Sequence, residues 1–374
     1  THLSIHSGND YGRPKNLDES VAILKRNFAE AVTRNLAITW LSGTDKHPHF
    51  HPAKEPEFLN LLNQMEKIGT FTLSLDRKPS SEIAVLIDAE SLFFETMRND
   101  FDLPAIVQQR LWGLPRLGAP FDIYLSDDLI EGKLPSYKLY IFLNAHAVDP
   151  YRRTKIKQEL AKSGGIAFWI YAPGYIQKDA SLENMMDLTG FRFSKGDHYW
   201  GPLIYLTDFD HPITQDVSPE ITWGTNQRLK PVFYLDDQNA RVLGQVVLSQ
   251  GRCVAGFGVK EQKGWTSIYS AAPNVPAPIL RGIARYAGVH IYSDQGDVLS
   301  ASKNLLSLHT ISGGTREIIL KEPVQVIYDL FSQSVIGRDT DRFTVVLQPA
   351  STSLYYIGTA ENFQNFWMKP GENK

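Results

Sequence analysis

The feature that most constrains the fold is the alternation of strand and helix patterns from Glu82 to Tyr171. An apolar run, Ile83 to Ile87, ends at Asp88 and is followed by a helix pattern, as is typical of a strand buried on both faces of a parallel sheet. Three more strands are predicted at Phe121–Leu125, Lys138–Leu143 and Ile166–Tyr171. The alternation predicts an α/β fold with an open, doubly wound parallel sheet.

The first helix of this region begins at Asp102–Pro104, where a capping residue precedes a proline. Its apolar positions Val107, Leu111 and Leu114 recur at helical spacing, and Gly118 marks its end. This spacing is typical of a helix with one apolar face.

Composition and charge narrow the class of protein. The chain has 374 residues, enough for two or three domains, and a formal net charge of −3 without a basic block. Nucleic acid and anionic membranes are therefore disfavoured as partners. No apolar run reaches the ~18 residues of a membrane span. The single cysteine, Cys253, excludes a disulfide framework within the chain. The protein could belong to the cytoplasm or to the periplasm.

Residues 1–69 show two strand–helix units. Thr1–His6 and Leu36–Leu41 alternate like strands, and an apolar stripe with helical spacing follows each of them. The stripes are Leu17, Val21, Leu24 and Phe28, then Phe58, Leu62, Met65 and Ile68 before Gly69. Two such units leave sheet edges to be covered. With no initial Met, the chain is expected to be cut from something longer; a processed terminus is the alternative.

Three further segments are predicted. Residues 70–81 are polar and cross between domains, and residues 82–290 hold the doubly wound domain. In residues 291–374 short strands are separated by Gly, Pro, Asp and Ser turns, which is typical of a small antiparallel β-domain. Its predicted strands are Leu305–Thr310, Arg316–Leu320, Val324–Leu330, Phe343–Leu347 and Ser353–Gly358.

Five stretches of the sequence carry a family resemblance. They are Ala84–Ser91, Gly118–Ile123, Leu134–Leu139, Ser163–Gly165 and Gly288–Ile291. In this order they resemble the C-terminal part of the β-galactosidase-like glycoside hydrolases of family 42. The resemblance implies the last two units of a (β/α)8 barrel over residues 1–69, a flavodoxin- or amidotransferase-like oligomerisation domain, and a small β-domain. It also implies a carbohydrate substrate of the β-galactoside type, a homo-oligomer and no cofactor.

Catalysis in this family uses two carboxylic acids, which lie ~5–5.5 Å apart in retaining enzymes. The resemblance places them on barrel strands four and seven, and strand four has no counterpart in the chain. If Thr1–His6 corresponds to strand seven, it contains no Asp or Glu, and the first carboxylates are Asp10 and Asp18. The catalytic pair is therefore predicted to lie outside this chain, which alone is expected to be inactive.

The predicted sugar-binding residues begin with Trp40 at the end of a barrel-like strand, where side chains line active sites. An indole face can stack on a sugar; an ordinary core tryptophan is the alternative. His2 and His6 share one side of the first strand, where they face a substrate or serve as structural histidines.

The loop Thr44–His51 completes the predicted sugar pocket with Asp45, His47, His49 and His51. The spacing of the histidines could turn three imidazoles one way around zinc, but Pro48 distorts the strand and no cysteine or acid is interleaved, so no metal is assigned. Hydrogen bonding to substrate hydroxyls and a solvated loop without a role remain as alternatives.

Two further candidates receive structural interpretations. Asp88 and Glu90 end the first strand of the doubly wound domain, where ligands bind in such folds, but no glycine-rich turn follows and capping is predicted instead. Cys253 is the only candidate amidotransferase nucleophile, yet it begins a strand rather than a strand-to-helix turn, so glutaminase activity is not predicted.

The functional hypothesis is a portion of a β-galactosidase-like enzyme that supplies part of the sugar pocket and the oligomerisation domain. The alternative is a non-catalytic module that oligomerises or binds carbohydrate. A third hypothesis is an α/β protein that binds a small molecule at the sheet end near Asp88.

Overall fold

The computed structural model describes residues 17–39, 56–76, 78–95, 100–197 and 201–367. Their contacts divide the chain into two compact units. The first unit contains the described residues up to Ser80, Gly118–Pro120 and those from Tyr292 onward; the second contains Ser81–Leu117 and Phe121–Ile291. Among the described residues, no helix is both long enough and apolar enough to cross a membrane.

The elements of the N-terminal half include two short 3₁₀-helices and one π-helix. In chain order they are α1 (Leu17–Thr33), α2 (Pro56–Leu73), β1 (Ile83–Ile87), a 3₁₀-helix (Ser91–Phe94), the π-helix (Leu103–Gly113), a 3₁₀-helix (Leu114–Arg116), β2 (Asp122–Leu125), α3 (Ser126–Ile130), β3 (Leu139–Phe142), α4 (Pro150–Ser163), β4 (Ile166–Ile170) and α5 (Leu182–Thr189).

The C-terminal half is dominated by strands. In chain order its elements are β5 (Phe193–Gly196), β6 (Leu203–Leu206), β7 (Thr222–Gly224), β8 (Val232–Leu235), β9 (Arg241–Val247), a 3₁₀-helix (Ser249–Gly251), β10 (Cys253–Gln262), β11 (Trp265–Ser270), α6 (Ala277–Tyr286), β12 (Val298–Ala301), β13 (Leu305–Thr310), β14 (Gly314–Asp329), β15 (Ser334–Leu347), β16 (Ser351–Gly358) and α7 (Ala360–Trp367).

The second unit is built on the parallel sheet that the alternating pattern predicts. Strands β2-β1-β3-β4-β11 are parallel neighbours in that order, and β10, β9, β6 and β7 continue the sheet antiparallel. Strands β3 and β4 are buried along their whole length, as expected for strands covered on both faces. The 2-1-3 order makes the carboxyl ends of β1 and β3 a topological switch point. The predicted α/β class is confirmed.

The first unit contains a separate antiparallel sheet in the order β12-β13-β16-β14-β15, which confirms the predicted small β-domain. The predicted strands Arg316–Leu320 and Val324–Leu330 are a single strand, β14, whose pairing with β15 is irregular between Ile319 and Val324. The turn residues between the two patterns therefore mark an irregularity within one long strand.

Helices α1 and α2 pack on this antiparallel sheet and share its core. The Phe71 ring of α2 lies 5.4 Å from that of Tyr356, and Phe28 of α1 belongs to the same cluster. Two details differ from the sequence prediction. Helix α2 continues through Gly69 to Leu73, into the predicted crossing segment 70–81, and residues 36–39, the described part of the predicted strand Leu36–Leu41, are not a strand.

The π-helix turns a different face inward from the one that its sequence predicts. Val107 and Leu111 are 47% and 58% exposed, whereas Gln109 is buried. The Gln109 side chain donates to the carbonyl of Val275 at 2.8 Å and accepts from its N–H at 2.7 Å, so a polar anchor sets the orientation of the helix. Of the three predicted apolar positions, only Leu114, directly after the π-helix, is buried.

Candidate functional site at the carboxyl end of the parallel sheet

Polar side chains gather where β1 and β3 end, at the switch point of the second unit. The amide of Asn144 after β3 accepts from the N–H of Asp88 at 2.8 Å and donates to its carbonyl at 3.1 Å. Both residues are fully buried. Because backbone groups beyond a strand end lose their sheet partners, this exchange satisfies them and fixes the two loops together.

The Asp88 carboxylate caps the segment that follows β1. Its Oδ2 accepts from the backbone N–H of Ser91 at 2.9 Å and from the Ser91 hydroxyl. Ser91 is the first residue of a 3₁₀-helix, so the capping role predicted for Asp88 is confirmed. The signal for this contact lies in the sequence as an acidic residue three positions before a short helical turn.

Arg152 on α4 neutralises the acidic groups around this turn. Its guanidinium lies 2.5 Å from Asp88, 2.8 Å from Glu90 and 2.9 Å from Asp127. Burial disfavours the charged form of Arg152, but attraction to the three carboxylates outweighs it and raises the pKa of the guanidinium. Arg152 could not be identified from the sequence, because nothing in a helix pattern shows which cation will face a distant strand end.

Ser91 and His146 meet in this cluster without forming a nucleophile and base pair. The Ser91 hydroxyl accepts from the backbone N–H groups of His146 and Ala147, and the His146 ring nitrogen Nε2 donates to the carbonyl of Ser91 at 2.7 Å. Burial lowers the pKa of His146, which keeps the ring neutral. Since the ring contacts the Ser91 carbonyl rather than the hydroxyl, it is not placed to activate that oxygen.

The Glu95 carboxylate connects the end of the 3₁₀-helix with the residues that precede the π-helix. The Glu95 carboxylate accepts from the N–H groups of Phe101 and Asp102, at 2.5 and 2.9 Å. Burial and the neighbouring Glu95 raise the pKa of Asp102 to about 8. Asp102 therefore holds its proton at neutral pH, a state in which a carboxyl group can serve as an acid.

Three ring side chains pack together at the switch point. The Phe101 ring packs 4.9 Å from that of Tyr171 and 5.8 Å from that of His146, and all three residues are buried. Tyr171 adopts a φ of 66°, a left-handed conformation that is uncommon outside glycine, and its carbonyl accepts from Tyr269 at 2.6 Å. The cluster therefore joins the loops at this end of the sheet through contacts between their own side chains.

A separate open cleft of about 520 Å³ lies in the same unit, between α5 and the turn after β8. The polar residues on its walls are Glu183, Arg192, Asp236, Asp237, Gln238 and Asn239. Asp237 is paired with Lys260 at 2.7 Å, and Asp236 accepts from Ser194 at 2.8 Å. The cleft therefore presents both charged groups and the neutral side chains of Gln238 and Asn239.

The predicted sugar-binding residues lie outside the described residues. This holds for all seven of them: His2, His6, Trp40, Asp45, His47, His49 and His51. Their roles stay predictions. Cys253 is described, is exposed and begins β10, the strand position predicted for it. Within the described ranges, no group of three or more His, Cys, Asp or Glu side chains is placed to hold a metal ion.

No family model matches the sequence, and no curated protein matches it. Solved structures do share its fold. A β-galactosidase from Rahnella sp. R3 has a TM-score of 0.61 at 12% identity, over 94% of this chain and 53% of that one. The β-galactosidase from Bacillus circulans sp. alkalophilus has a TM-score of 0.58 at 14% identity, over 81% and 45%. A catalytic mutant of a family 42 β-galactosidase from G. stearothermophilus has 0.55 at 12% identity, over 81% and 43%.

The predicted resemblance to family 42 β-galactosidases is thereby confirmed at the level of the fold. The chain spans about half the length of each of these structures. The likeness therefore relates this chain to a part of those proteins.

Proposed function

We propose that this chain forms the non-catalytic part of a glycoside hydrolase resembling β-galactosidases, with the catalytic carboxylate pair outside the chain. The observation that carries the proposal is the extent of the structural likeness. It includes 81–94% of this chain but only 43–53% of the β-galactosidases. A chain that matches about half of such an enzyme need not contain both acids of its active site.

The described carboxyl groups support the proposal that the catalytic pair lies outside this chain. Four of them are buried: Asp88, Asp102, Asp297 and Asp329. Asp88 pairs with Arg152. Asp297 pairs with Arg316, and Asp329 accepts from the N–H groups that follow it in the chain. A retaining glycosidase needs two carboxyl groups facing a sugar, ~5–5.5 Å apart and free to react. Groups engaged in this way serve the fold.

In this proposal the chain contributes Trp40 and the loop Thr44–His51 to the wall of a pocket for a β-galactoside-like oligosaccharide. The second unit contributes subunit contacts in a homo-oligomer. The ion pair between Asp88 and Arg152 connects the end of β1 to α4 in that unit.

The test is hydrolysis of a nitrophenyl β-galactoside by two proteins: this 374-residue chain and the product of the complete open reading frame that encodes it. We expect release of nitrophenol by the complete product and none above a buffer blank by the chain. Hydrolysis by the chain alone would place the catalytic pair within it. Inactivity of the complete product on a panel of β-glycosides would overturn the glycosidase assignment.

The cleft between α5 and the turn after β8 favours a second candidate, a carbohydrate-binding module. Two neutral side chains on its walls, Gln238 and Asn239, are of the kind that hydrogen-bond sugar hydroxyls. Calorimetric titration with galactose and lactose would distinguish the candidates. The carbohydrate-binding module is supported if two results are obtained together. The chain binds galactose or lactose and Asn239→Ala abolishes this binding, and neither the chain nor the complete product hydrolyses the nitrophenyl β-galactoside.

A further inference from the structure

The carboxyl group of Asp102 does not cap the helix that it precedes. Asp102 is the N-cap residue of the π-helix, yet its side chain makes no capping hydrogen bond, so the cap predicted there is not formed. The Glu95 carboxylate instead accepts from the N–H groups of Phe101 and Asp102. The Asp102 side chain is turned to Glu95 and hydrogen-bonds to it. We call this arrangement of Glu95, Phe101 and Asp102 the carboxyl clasp.

The carboxyl clasp requires a proton. Two carboxyl groups hydrogen-bond to each other only when one of them is protonated, because two carboxylates are both acceptors. Glu95 already accepts from two N–H groups, whereas Oδ1 of Asp102 is buried and has no hydrogen-bond partner among the described residues. A negative charge on Asp102 would lie beside a second carboxylate with no donor at that oxygen, which is costly in the interior. The geometry therefore places the proton on Asp102.

The charged groups around the carboxyl clasp also favour a neutral Asp102. Asp88, at the end of β1, adds a further negative charge. Arg152 on α4 is engaged by Asp88 and by two other carboxylates. Burial, the contact with Glu95 and the charge of Asp88 together raise the pKa of Asp102 to about 8, in agreement with the geometry.

The residues that follow β3 and β4 bring no positive charge to the carboxyl clasp. Burial lowers the pKa of His146, which stays neutral, and raises the pKa of Tyr171, whose hydroxyl keeps its proton. The amide of Asn144 acts in the opposite direction, since its contact with Asp102 favours the carboxylate, but burial outweighs it. None of these three groups supplies a cation to an ionised Asp102.

The carboxyl clasp fixes the position of the Phe101 ring at the switch point. The N–H group of Phe101 donates to Glu95 at 2.5 Å. Its ring packs 4.9 Å from that of Tyr171 and 5.8 Å from that of His146. Because the donor and the ring belong to one residue, breaking the contact with Glu95 also allows the ring to leave its neighbours.

The segments on either side of the carboxyl clasp have anchors of their own. The Asp88 carboxylate holds Ser91 at the start of the 3₁₀-helix. Gln109 of the π-helix is bonded to both backbone groups of Val275. Neither anchor includes Asp102. The clasp can therefore open while both helices keep these contacts, as a local event rather than as unfolding of the unit.

We propose that the carboxyl clasp is a proton-dependent switch, closed while Asp102 holds its proton, and that loss of this proton opens it and releases the Phe101 ring from Tyr171 and His146. The inference concerns the second unit alone and does not rest on the proposed function. In the open form Asp102 meets water, where a carboxyl group has its ordinary pKa of ~3.9. Rising pH therefore favours the open form by about tenfold for each pH unit between about 4 and about 8, and no further above that.

The test is hydrogen exchange of the full chain at the amides of Phe101 and Asp102, which donate to Glu95, from about pH 5 to about pH 9. Each rate is expressed as protection relative to the intrinsic rate at that pH, which removes the base catalysis of exchange itself. Asp102→Asn keeps the size of the side chain and a donor for Glu95 but cannot ionise. Asp179→Asn is the matched control, because it makes the same change at an exposed acid of the same unit. Circular dichroism verifies the fold of each variant.

We expect protection of the Phe101 and Asp102 amides in the parent chain and in Asp179→Asn to fall by about tenfold for each pH unit up to about 8. In Asp102→Asn the protection should stay constant. Glu95→Gln, which removes the charge beside Asp102, should weaken the decline. Amides of β3 should stay at least ~10-fold more protected at every pH, because they exchange only when the unit unfolds.

Three results would overturn the proposal. The first is protection of the Phe101 and Asp102 amides that does not change with pH in the parent chain. The second is a decline that persists unchanged in Asp102→Asn. The third is equal protection of these amides and those of β3, because the carboxyl clasp would then open only when the whole unit unfolds.

Discussion

Arg152 and Asp88 form a buried ion pair, with 2.5 Å between Nη2 and Oδ1 and side-chain exposures of 7% and 0%. The pair joins α4 to the end of β1. Removing one partner of such a pair leaves an uncompensated charge in the interior. We expect Arg152→Met to lower the free energy of unfolding by about 3–5 kcal/mol, measured by urea denaturation.

Two further variants complete this test. Lys162→Ala, on the same helix, removes a surface pair with Glu159 and should change stability by less than ~1 kcal/mol. The double variant with Asp88→Asn and Arg152→Met should recover part of the loss, because the two carboxylates that still lack a partner, Glu90 and Asp127, are more than half exposed to water. A loss as large in the Lys162 variant as in Arg152→Met would contradict this account.

Asp102 predicts a dependence of stability on pH. Burial, followed by contact with Glu95, raises its pKa to about 8, against ~3.9 in an unfolded chain. The folded state therefore binds the proton more tightly than the unfolded state. This contribution is complete below about pH 4 and is lost as the pH rises through about 8.

Thermal melting between about pH 5 and about pH 9 measures this effect. We expect Asp102→Asn to flatten the decline in Tm with rising pH. Asp187→Asn is the control. Burial opposes ionisation of Asp187, but contacts with Lys157 and Arg153 outweigh it and lower the pKa of this carboxyl group. The effect of Asp187→Asn on the pH dependence of Tm should therefore fall in the acidic range. An equal decline in parent and Asp102→Asn would show that another group is responsible.

Two helical glycines predict opposite responses to alanine. A Cβ at Gly282 in α6 would lie 1.9 Å from the carbonyl oxygen of Ile213, whereas the nearest atom to a Cβ at Gly69 in α2 is 4.0 Å away. Gly282→Ala should destabilise by at least ~1–3 kcal/mol because backbone must shift. Gly69→Ala should stabilise by up to ~1 kcal/mol through helix propensity. Urea denaturation of both variants checks the signs.

Trp40 supplies the prediction that depends on the proposed function. In the complete enzyme, Trp40→Ala should lower kcat/KM for a β-galactoside by about 10-fold, which corresponds to about 1.4 kcal/mol. Trp40→Phe should keep most of the activity, since the ring face is retained. An unchanged kcat/KM in Trp40→Ala would remove this residue from the sugar pocket.

Much of the fold follows from local patterns in the sequence. The apolar runs that form β1, β3 and β4 are typical of a parallel sheet covered on both faces. Helix α4 is likewise bounded by local residues, since Asp149 caps its start before Pro150 and Gly164 takes a left-handed conformation at its end. The short strands after Leu305 likewise required an antiparallel sheet. These features depend on neighbouring residues in the chain, and a sequence contains that information directly.

Other features were decided by contacts between distant parts of the chain. The pairing of Arg152 with Asp88, 64 positions apart, and the anchoring of Gln109 to Val275, 166 positions apart, cannot be derived from periodicity. The second of these reversed the expected inner face of the π-helix and placed Leu111 at the surface. The sequence by itself determined which segments could be strands and helices, whereas only the tertiary structure decided which face each one buries, because burial depends on the partner that packs against it.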